Sequence, residues 1–569
     1  MALRAIYFLC SCILTLLTLA VDSAAADKPN IVLITLGSAR TDRMGFMGSH
    51  AGLTSNLDRL SADCVLFSQA YSQAPSTVVS AATVLTGAYP RTTQASELGV
   101  PLPVAVPYLP DVLRRAGYNT AAFVGSNQLD PRNGPFQRYD FGFNEYDAGP
   151  HSPSHANSAD RNAEFVVASA TKWIGKNKHS PWFAWIQLND SDSLTGAAYD
   201  RGLSGADTAI GKLLASLRSD SSYDEALIVV AALHGEGLGS HGEELHGLFL
   251  YDETIHVPLL LKLPKKQLAA RQVKNRARLV DIAPTVLESA GIAVPPQMLG
   301  QSLLRVARAT SQSDQPAYSR TDLPHWAFAY SPTESWRAGK YLYIRAPKPE
   351  LYDLTSDPQA TKNLAQTSKA TLDTLASQLQ AFDSRLGNEG GKEASSTLSS
   401  SEMQKLASLG YVGLQKSAAG VNAATEGGDP KDIVPLANET LAAQHDLDLG
   451  KTDQAISIIK SLDSASPAYL PQFIIGAALV AQQKYSEAVP YLHKAIELQP
   501  DSPWAHYDMG VSLLKTGDYK TAAVHLEIAS RRLPAFSAVH SVLAESYEHL
   551  GRTQDAARER EATGEHKAK

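Results

Sequence analysis

The chain has 569 residues, 44% of them apolar and 19% charged, with a formal net charge of −7. At about 100–200 residues per domain the length excludes a single domain, and the composition supplies material for a sizeable core. The acidic balance, with no long run of one sign, excludes a role built on nucleic acid or another polyanion.

Residues 1–26 are expected to be a secretory signal. Arg4 precedes an apolar stretch from Ala5 to Val21, and Ser23-Ala24-Ala25-Ala26 lead into Asp27, the charge, core and small-residue order that signal peptidase cuts. An uncleaved membrane anchor is the alternative, since the run nearly spans a thin bilayer. Either way the protein is expected to be exported, to a periplasm or the outside. Cys10 and Cys12 fall in this segment, leaving Cys64 as the one cysteine of the mature chain. It cannot form an internal disulfide or a thiolate metal cluster, and is expected to be a small buried hydrophobe.

Over residues 27–386 short apolar runs alternate with helical patterns. The runs are Asn30–Leu36, Thr120–Val124, Trp182–Leu188, Ala226–Leu233 and Val257–Leu263. The intervening helical segments include Tyr108–Ala116, Ala163–Lys176 and Gly205–Arg218. Continuous apolar runs mark strands buried on both faces, and their alternation with helices predicts an α/β domain with a mostly parallel, helix-flanked sheet. A smaller subdomain is expected at about 316–386. Sites in such sheets lie at the carboxyl ends of strands.

Residues 387–432 change to Gly, Ser, Ala, Glu and Lys and are expected to be a linker, with one ordered island at Leu406–Val412. Beyond it a period appears. Gly476, Gly510 and Ala544 are 34 residues apart, as are Ala488, Ala522 and Ala556, while Tyr485 pairs with Tyr519 and Pro500 with Pro534. This resembles the tetratricopeptide repeat, and predicts an all-α solenoid of about four repeats over 433–563, followed by a tail at 564–569. Such arrays present surfaces for a protein or peptide partner. The structural alternative is an array that packs on the first domain or mediates self-association.

Several segments of the first domain, in order, carry a second resemblance. They include Pro29–Thr35, Thr54–Leu60, Leu85-Thr86-Gly87-Ala88-Tyr89-Pro90-Arg91, His234-Gly235-Glu236, His246–Asp252, His256-Val257-Pro258, Val280–Thr285 and Glu350-Leu351-Tyr352-Asp353-Leu354. Together they resemble the sulfatase branch of the alkaline phosphatase superfamily. That resemblance implies ester hydrolysis by a divalent metal held by strand-end carboxylates, with a formylglycine made from Cys or Ser, or a Thr or Ser, as nucleophile.

The positions that should carry this chemistry depart from the pattern. Gly37 and Ser38 stand where the family has its first Asp ligands, and Leu233 replaces the Asp before His234-Gly235. The nucleophile motif maps onto Thr77-Val78-Val79-Ser80-Ala81, so Val79 and Ala81 replace Pro and Arg. The histidine-rich pattern after Trp185 is replaced by Gln187, Asp190, Ser191 and Asp192, and the late Lys by Leu342, with Lys340 nearby. Thr77 and His234 remain as the vestigial nucleophile and ligand positions. Thr77 is expected to be a helix N-cap. The expectation is a non-catalytic binding or scaffold module with no cofactor. The alternative is an active sulfuric- or phosphoric-ester hydrolase or transferase using Thr77 and an altered divalent-metal site at His234, His241 and His246. Around those histidines lie Glu236, Glu243 and Asp252. His241 and His246 are expected to order a loop, and Asp42 and Asp58 to be capping or surface residues.

Overall fold

The structure, a computed structural model, describes residues 28–95, 102–133, 139–150, 161–191, 195–309, 314–389, 398–409, 411, 427–462, 468–534 and 536–563. Residues 1–26, expected to be a signal, Asp192, much of the 387–432 stretch and residues 564–569 lie outside the described residues.

The apolar runs form the predicted strands. They are β1 (Ile31–Ser38), β2 (Val65–Phe67), β3 (Ala70–Tyr71), β4 (Asn119–Val124), β5 (Glu145–Asp147), β6 (Trp182–Leu188), β7 (Leu227–His234), β8 (His256–Val257), β9 (Leu259–Lys262), β10 (Arg271–Val273) and β11 (Ala277–Arg278). Eight of them make one sheet in the order β10-β2-β9-β7-β1-β6-β4-β5, while β3, β8 and β11 form a small second sheet. In the large sheet only β9 runs against its neighbours. The fold is therefore α/β with a mostly parallel sheet, and its central strands β1, β6 and β7 are buried along their whole length, as two covered faces require.

Helices α1 (Ser55–Ser61), α2 (Thr77–Thr86), α3 (Leu109–Arg115), α4 (Ala163–Lys176) and α5 (Gly196–Ser219) flank the sheet. Two differences from the sequence reading have local causes. The helix expected from Gly205 begins nine residues earlier, where Thr195 caps it by accepting from Ala198 N. The run Val257–Leu263 divides into β8 and β9 at Pro258, whose ring nitrogen cannot donate to a ladder.

After the large sheet, β12 (Ala317–Thr321), α6 (Leu323–Phe328), β13 (Thr333–Ala338), β14 (Tyr341–Arg345) and β15 (Glu350–Asp353) follow. The four strands form an antiparallel sheet in sequence order, packed against α7 (Lys369–Glu389) through Tyr318, Trp336, Tyr343 and Leu379. The helix α7 thus runs into what the composition marked as linker. Of the island expected at Leu406–Val412, residues 406–409 and 411 are described: its first three residues close α8 (Ser400–Ser408), which starts six residues earlier, and Leu406 is fully buried.

Eight helices then form four antiparallel pairs: α9 (Val434–Asp448) with α10 (Thr452–Ser461), α11 (Tyr469–Ala481) with α12 (Tyr485–Leu498), α13 (Pro503–Thr516) with α14 (Tyr519–Arg532), and α15 (Ser537–His549) with α16 (Thr553–Ala562). The period is steric. A Cβ on Gly476 would lie 2.6 Å from Leu492 Cδ2, and one on Gly510 would lie 2.4 Å from Leu526 Cγ. Helices α11 and α13 therefore need a residue without a side chain where the leucine of the partner helix crosses them, while α15 carries Ala544 at the same place in the period. The same register places His506 Nε2 on Pro500 O at 2.9 Å and His540 Nε2 on Pro534 O at 3.1 Å.

The array does not hang free. Leu248, Phe249, Leu323 and Phe328 of the first part share one continuous apolar core with Ile433, Ala437 and Ile474 of the array. Trp326 on α6 meets Tyr469 at the start of α11 edge-on, with ring centroids 6.4 Å apart. Asn438 on α9 donates to Gly242 O at 2.7 Å and accepts from Glu244 N at 3.1 Å.

Candidate functional site

The parallel register sets the site. Ser38 at the end of β1 pairs with His234 at the end of β7, and Leu36 with Leu188 on β6. These carboxyl ends converge beside the N-terminus of α2. There Ser76, not Thr77, is the N-cap: its side chain accepts from Val79 N. The expectation that Thr77 caps the helix is corrected. Its hydroxyl is released for another partner, because Ser76 already meets the orphan amide.

That partner is His234, whose Nε2 lies 2.9 Å from Thr77 Oγ1. His234 Nδ1 lies 2.8 Å from the carbonyl oxygen of Gly235, which can only accept. Nδ1 therefore carries the proton, and Nε2 accepts from the Thr77 hydroxyl. Burial holds the imidazole well below its usual pKa, with the neighbouring His246 adding to the effect, so the ring is neutral. A hydroxyl donating to a neutral imidazole is the starting arrangement for nucleophilic attack with proton transfer to the ring.

The rest of the floor holds one carboxylate, Asp190, and otherwise amide, hydroxyl and apolar groups. At Gly37 a Cβ would lie 1.9 Å from Asn189 Oδ1, so the Asn189 amide fills the place of a strand-end carboxylate. Ser38 Oγ donates to Ser191 O at 3.1 Å, and Ser191 Oγ returns a bond to Ser38 O. Gln187 Oε1 accepts from Gly125 N and Ser126 N at 3.0 and 2.8 Å. Asp190 accepts from Ala163 N at the start of α4. Leu233 is fully buried, and its carbonyl accepts from Ser72 Oγ at 2.6 Å. Val79 and Ala81 are buried on α2. Hard divalent cations require several oxygen ligands, chiefly carboxylates. Amide, hydroxyl and imidazole groups with a single carboxylate, already bonded to one another or to the main chain, do not fit one.

Nor do the three histidines of the alternative site converge on one point. His246 tilts against His234 with ring centroids 4.1 Å apart, and its Nδ1 lies 3.0 Å from the fully buried Glu236 carboxylate. His241 is committed elsewhere: Nδ1 binds Glu253, Nε2 lies 3.2 Å from Ala360 O, and the ring stacks on Tyr251 at 3.7 Å. Glu243 accepts from Leu248 N at 2.6 Å, and burial raises its pKa to about 8. Asp252 pairs with the buried Arg337. Among the described residues no group of three or more His, Cys, Asp or Glu side chains could hold a metal ion.

The remaining candidates are structural. Asp42 salt-bridges Arg40 at 2.8 Å, and Arg40 in turn holds the carbonyls of Glu236 and Gly237. Asp58 accepts from Phe46 N and Thr54 Oγ1. Leu342 is buried in the core, and Lys340 pairs with Asp353 at an exposed turn. Cys64 is buried, donates to Leu60 O, and has its thiol pushed up to about 12 by burial. No helix of the described residues is long and apolar enough to cross a membrane. The sequence reading missed Asn189. Its signal was position, one residue past a buried parallel strand.

Comparison with known proteins places this geometry. Residues 29–292 match the family model described as sulfatase, residues 242–385 that of the N-sulphoglucosamine sulphohydrolase C-terminal region, and residues 479–546 that of the tetratricopeptide repeat. Arylsulfatase K of Mus musculus is 31% identical over 170 residues, 28% of this chain and 30% of that protein. The chain thus spans less than a third of the arylsulfatase K length it matches. Delta 4,5-hexuronate-2-O-sulfatase of Bacteroides thetaiotaomicron is 23% identical over 416 residues, 61% of this chain and 86% of that protein. Among solved structures, phosphonate monoester hydrolase of Agrobacterium radiobacter superposes with a TM-score of 0.53 at 18% identity, covering 63% of this chain and 96% of that one. A likeness at that identity speaks to the fold.

Proposed function

Because residues 29–385 carry a sulfatase-family domain followed by tetratricopeptide repeats, we propose that the domain does not use its family's metal chemistry. It acts as a non-catalytic platform on which the repeats bind a protein or peptide partner. The observation that carries this reading is the Asn189 amide beside Gly37. Loss of one outer partner of a metal ligand costs about 10–100-fold in affinity or activity, and here the carboxylate positions themselves are Gly37, Ser38 and Leu233. Export follows in the same proposal from the residue pattern of 1–26.

The test is elemental analysis of the purified full chain, joined to hydrolysis assays with 4-nitrophenyl sulfate and phosphate. The expected result is far less than one divalent metal per chain and no turnover above buffer. One tightly bound metal per chain, or turnover lost in Thr77→Ala, overturns the proposal.

A second reading rests on the hydrogen bond from Thr77 to His234. In it the chain hydrolyses or transfers a sulfuric or phosphoric ester, with Thr77 as nucleophile and His234 as the base that takes its proton. Thr77→Ala would then abolish turnover while Thr77→Ser retained part of it.

A further inference from the structure

The ordered island of the linker is seated on the repeat array as a ligand would be. Tyr411, 4% exposed, lays its ring on His493 of α12 at 4.2 Å and 11°. Leu406 is fully buried in the same apolar cluster. At the rim Glu402 pairs with Arg531 at 2.5 Å and Lys405 with Glu527 at 2.8 Å. Helix α8 opens with a reciprocal cap, Glu402 N donating to Ser399 Oγ and Ser399 N to Glu402 Oε2.

The surface under Tyr411 has a fixed hydrogen-bond polarity. Pro500 O accepts from His506 Nε2 at 2.9 Å, so His506 Nδ1 is unprotonated. It must accept from His525 Nδ1, 2.8 Å away. That leaves His525 Nε2 as an acceptor, and it lies 3.3 Å from the Tyr411 hydroxyl. The site therefore asks for an aromatic ring carrying a donor. Tyrosine supplies one and phenylalanine does not.

This segment is held differently from the array helices. Those helices each pack on neighbours along their length, whereas α8 has nine residues, too few for a helix that is stable alone. Its grip is one aromatic anchor, the buried Leu406 with the partly buried Leu398 and Leu409 beside it, and two rim ion pairs, the inventory of a short helical recognition motif. The surface is built by second helices of the repeats. On the opposite row of first helices, α11 is already met by α6 through Trp326 and Tyr469.

We infer that the α12–α14 face is an exchangeable peptide site, filled in cis by residues 399–409 and Tyr411. Its partner is a protein segment of the same chemistry: a short helix with an acidic residue, a basic residue three positions on, a leucine next to it, and a tyrosine five residues after that leucine. The inference names the partner class for the array and so rests on the array being a protein-binding surface. It is independent of whether the first domain holds a metal.

The test measures anisotropy of a fluorescein-labelled peptide of residues 398–412 added to the full chain. Wild type, with its own segment seated, should bind weakly. The Leu406→Ala/Tyr411→Ala chain should bind at least tenfold more tightly. A peptide carrying Tyr411→Ala should lose at least tenfold on that variant, and a Tyr411→Phe peptide should fall between. Should the double variant fail to fold by circular dichroism, Lys405→Glu, a change at a half-exposed rim position that repels Glu527, should bind the wild-type peptide severalfold more tightly than wild type does. Equal binding by wild type and folded variant, or binding by neither, overturns the proposal. Failure here with no metal found would leave the platform reading standing, and a bound metal with the expected peptide result would do the reverse.

Discussion

The amide oxygen of Asn189 lies 1.9 Å from where a Cβ on Gly37 would be. The end of β1 is thus closed by a side chain from the end of β6. Gly37→Ala should destabilise the chain by about 1–3 kcal/mol through overpacking, and Gly37→Asp by more, because it also buries a charge. Asn189→Ala in the Gly37→Ala background should recover most of the loss. Thermal melting of the four proteins in the cycle checks this, and additive losses would count against the contact.

Thr77→Val should cost about 1–3 kcal/mol, since it keeps the shape of the side chain and leaves His234 Nε2 buried without its donor. Thr77→Ser should cost less. His234 is held well below its ordinary 6.5 by burial, so the unfolded chain takes up a proton first as pH falls. Its contribution to stability is complete above about 6.5 and shrinks below that. Melting temperature against pH, compared between wild type and Thr77→Val, reads both effects.

Asp508 on α13 is 3% exposed, its Oδ2 finds no partner, and burial pushes its pKa up to about 7 from 3.8. The folded pKa is raised, so the cost of this group is absent below 3.8 and grows as pH rises through 7. Asp508→Asn should therefore stabilise the chain by about 1 kcal/mol or more at pH 8 and by nothing measurable at pH 3.8. A gain that did not change with pH would sink this account.

Asn438→Ala removes both bonds between α9 and the loop at Gly242 and Glu244. Each exposed bond contributes about 0.5–1.5 kcal/mol. Amide exchange at residues 240–246 should quicken severalfold, while exchange in β1 and β7 stays unchanged.

Much of this was legible in the sequence. Apolar runs gave away strands such as Trp182–Leu188, which matches β6 residue for residue. The 34-residue period singled out Gly476 and Gly510, and the structure shows each of them meeting a leucine of the partner helix. Thr77 and His234, separated by 157 residues, were named separately from their motifs, and the sheet register joins them. What stayed hidden was local competition for bonds. Whether Ser76 or Thr77 caps α2 depends on which hydroxyl has another partner, and His234 supplies that partner only after β7 is in place. Asn189 stayed hidden because an asparagine after a strand reads as turn chemistry until the neighbouring glycine shows the space it fills. Inside the linker, composition dominated by Ser and Gly hid the seat of the island, which Leu406, Tyr411 and the ion pairs of Glu402 and Lys405 make on the array.

The apolar core that joins Leu248 and Phe328 to Ala437 and Ile474 has a consequence for heredity. A gene cut at residue 433 would divide a shared interior, so neither product would inherit a finished surface. Substitutions that empty the strand ends leave that interior untouched, but deletions that remove the sheet would strip the repeats of their inner wall. A lineage could therefore discard chemistry at this site residue by residue and still be unable to discard the domain.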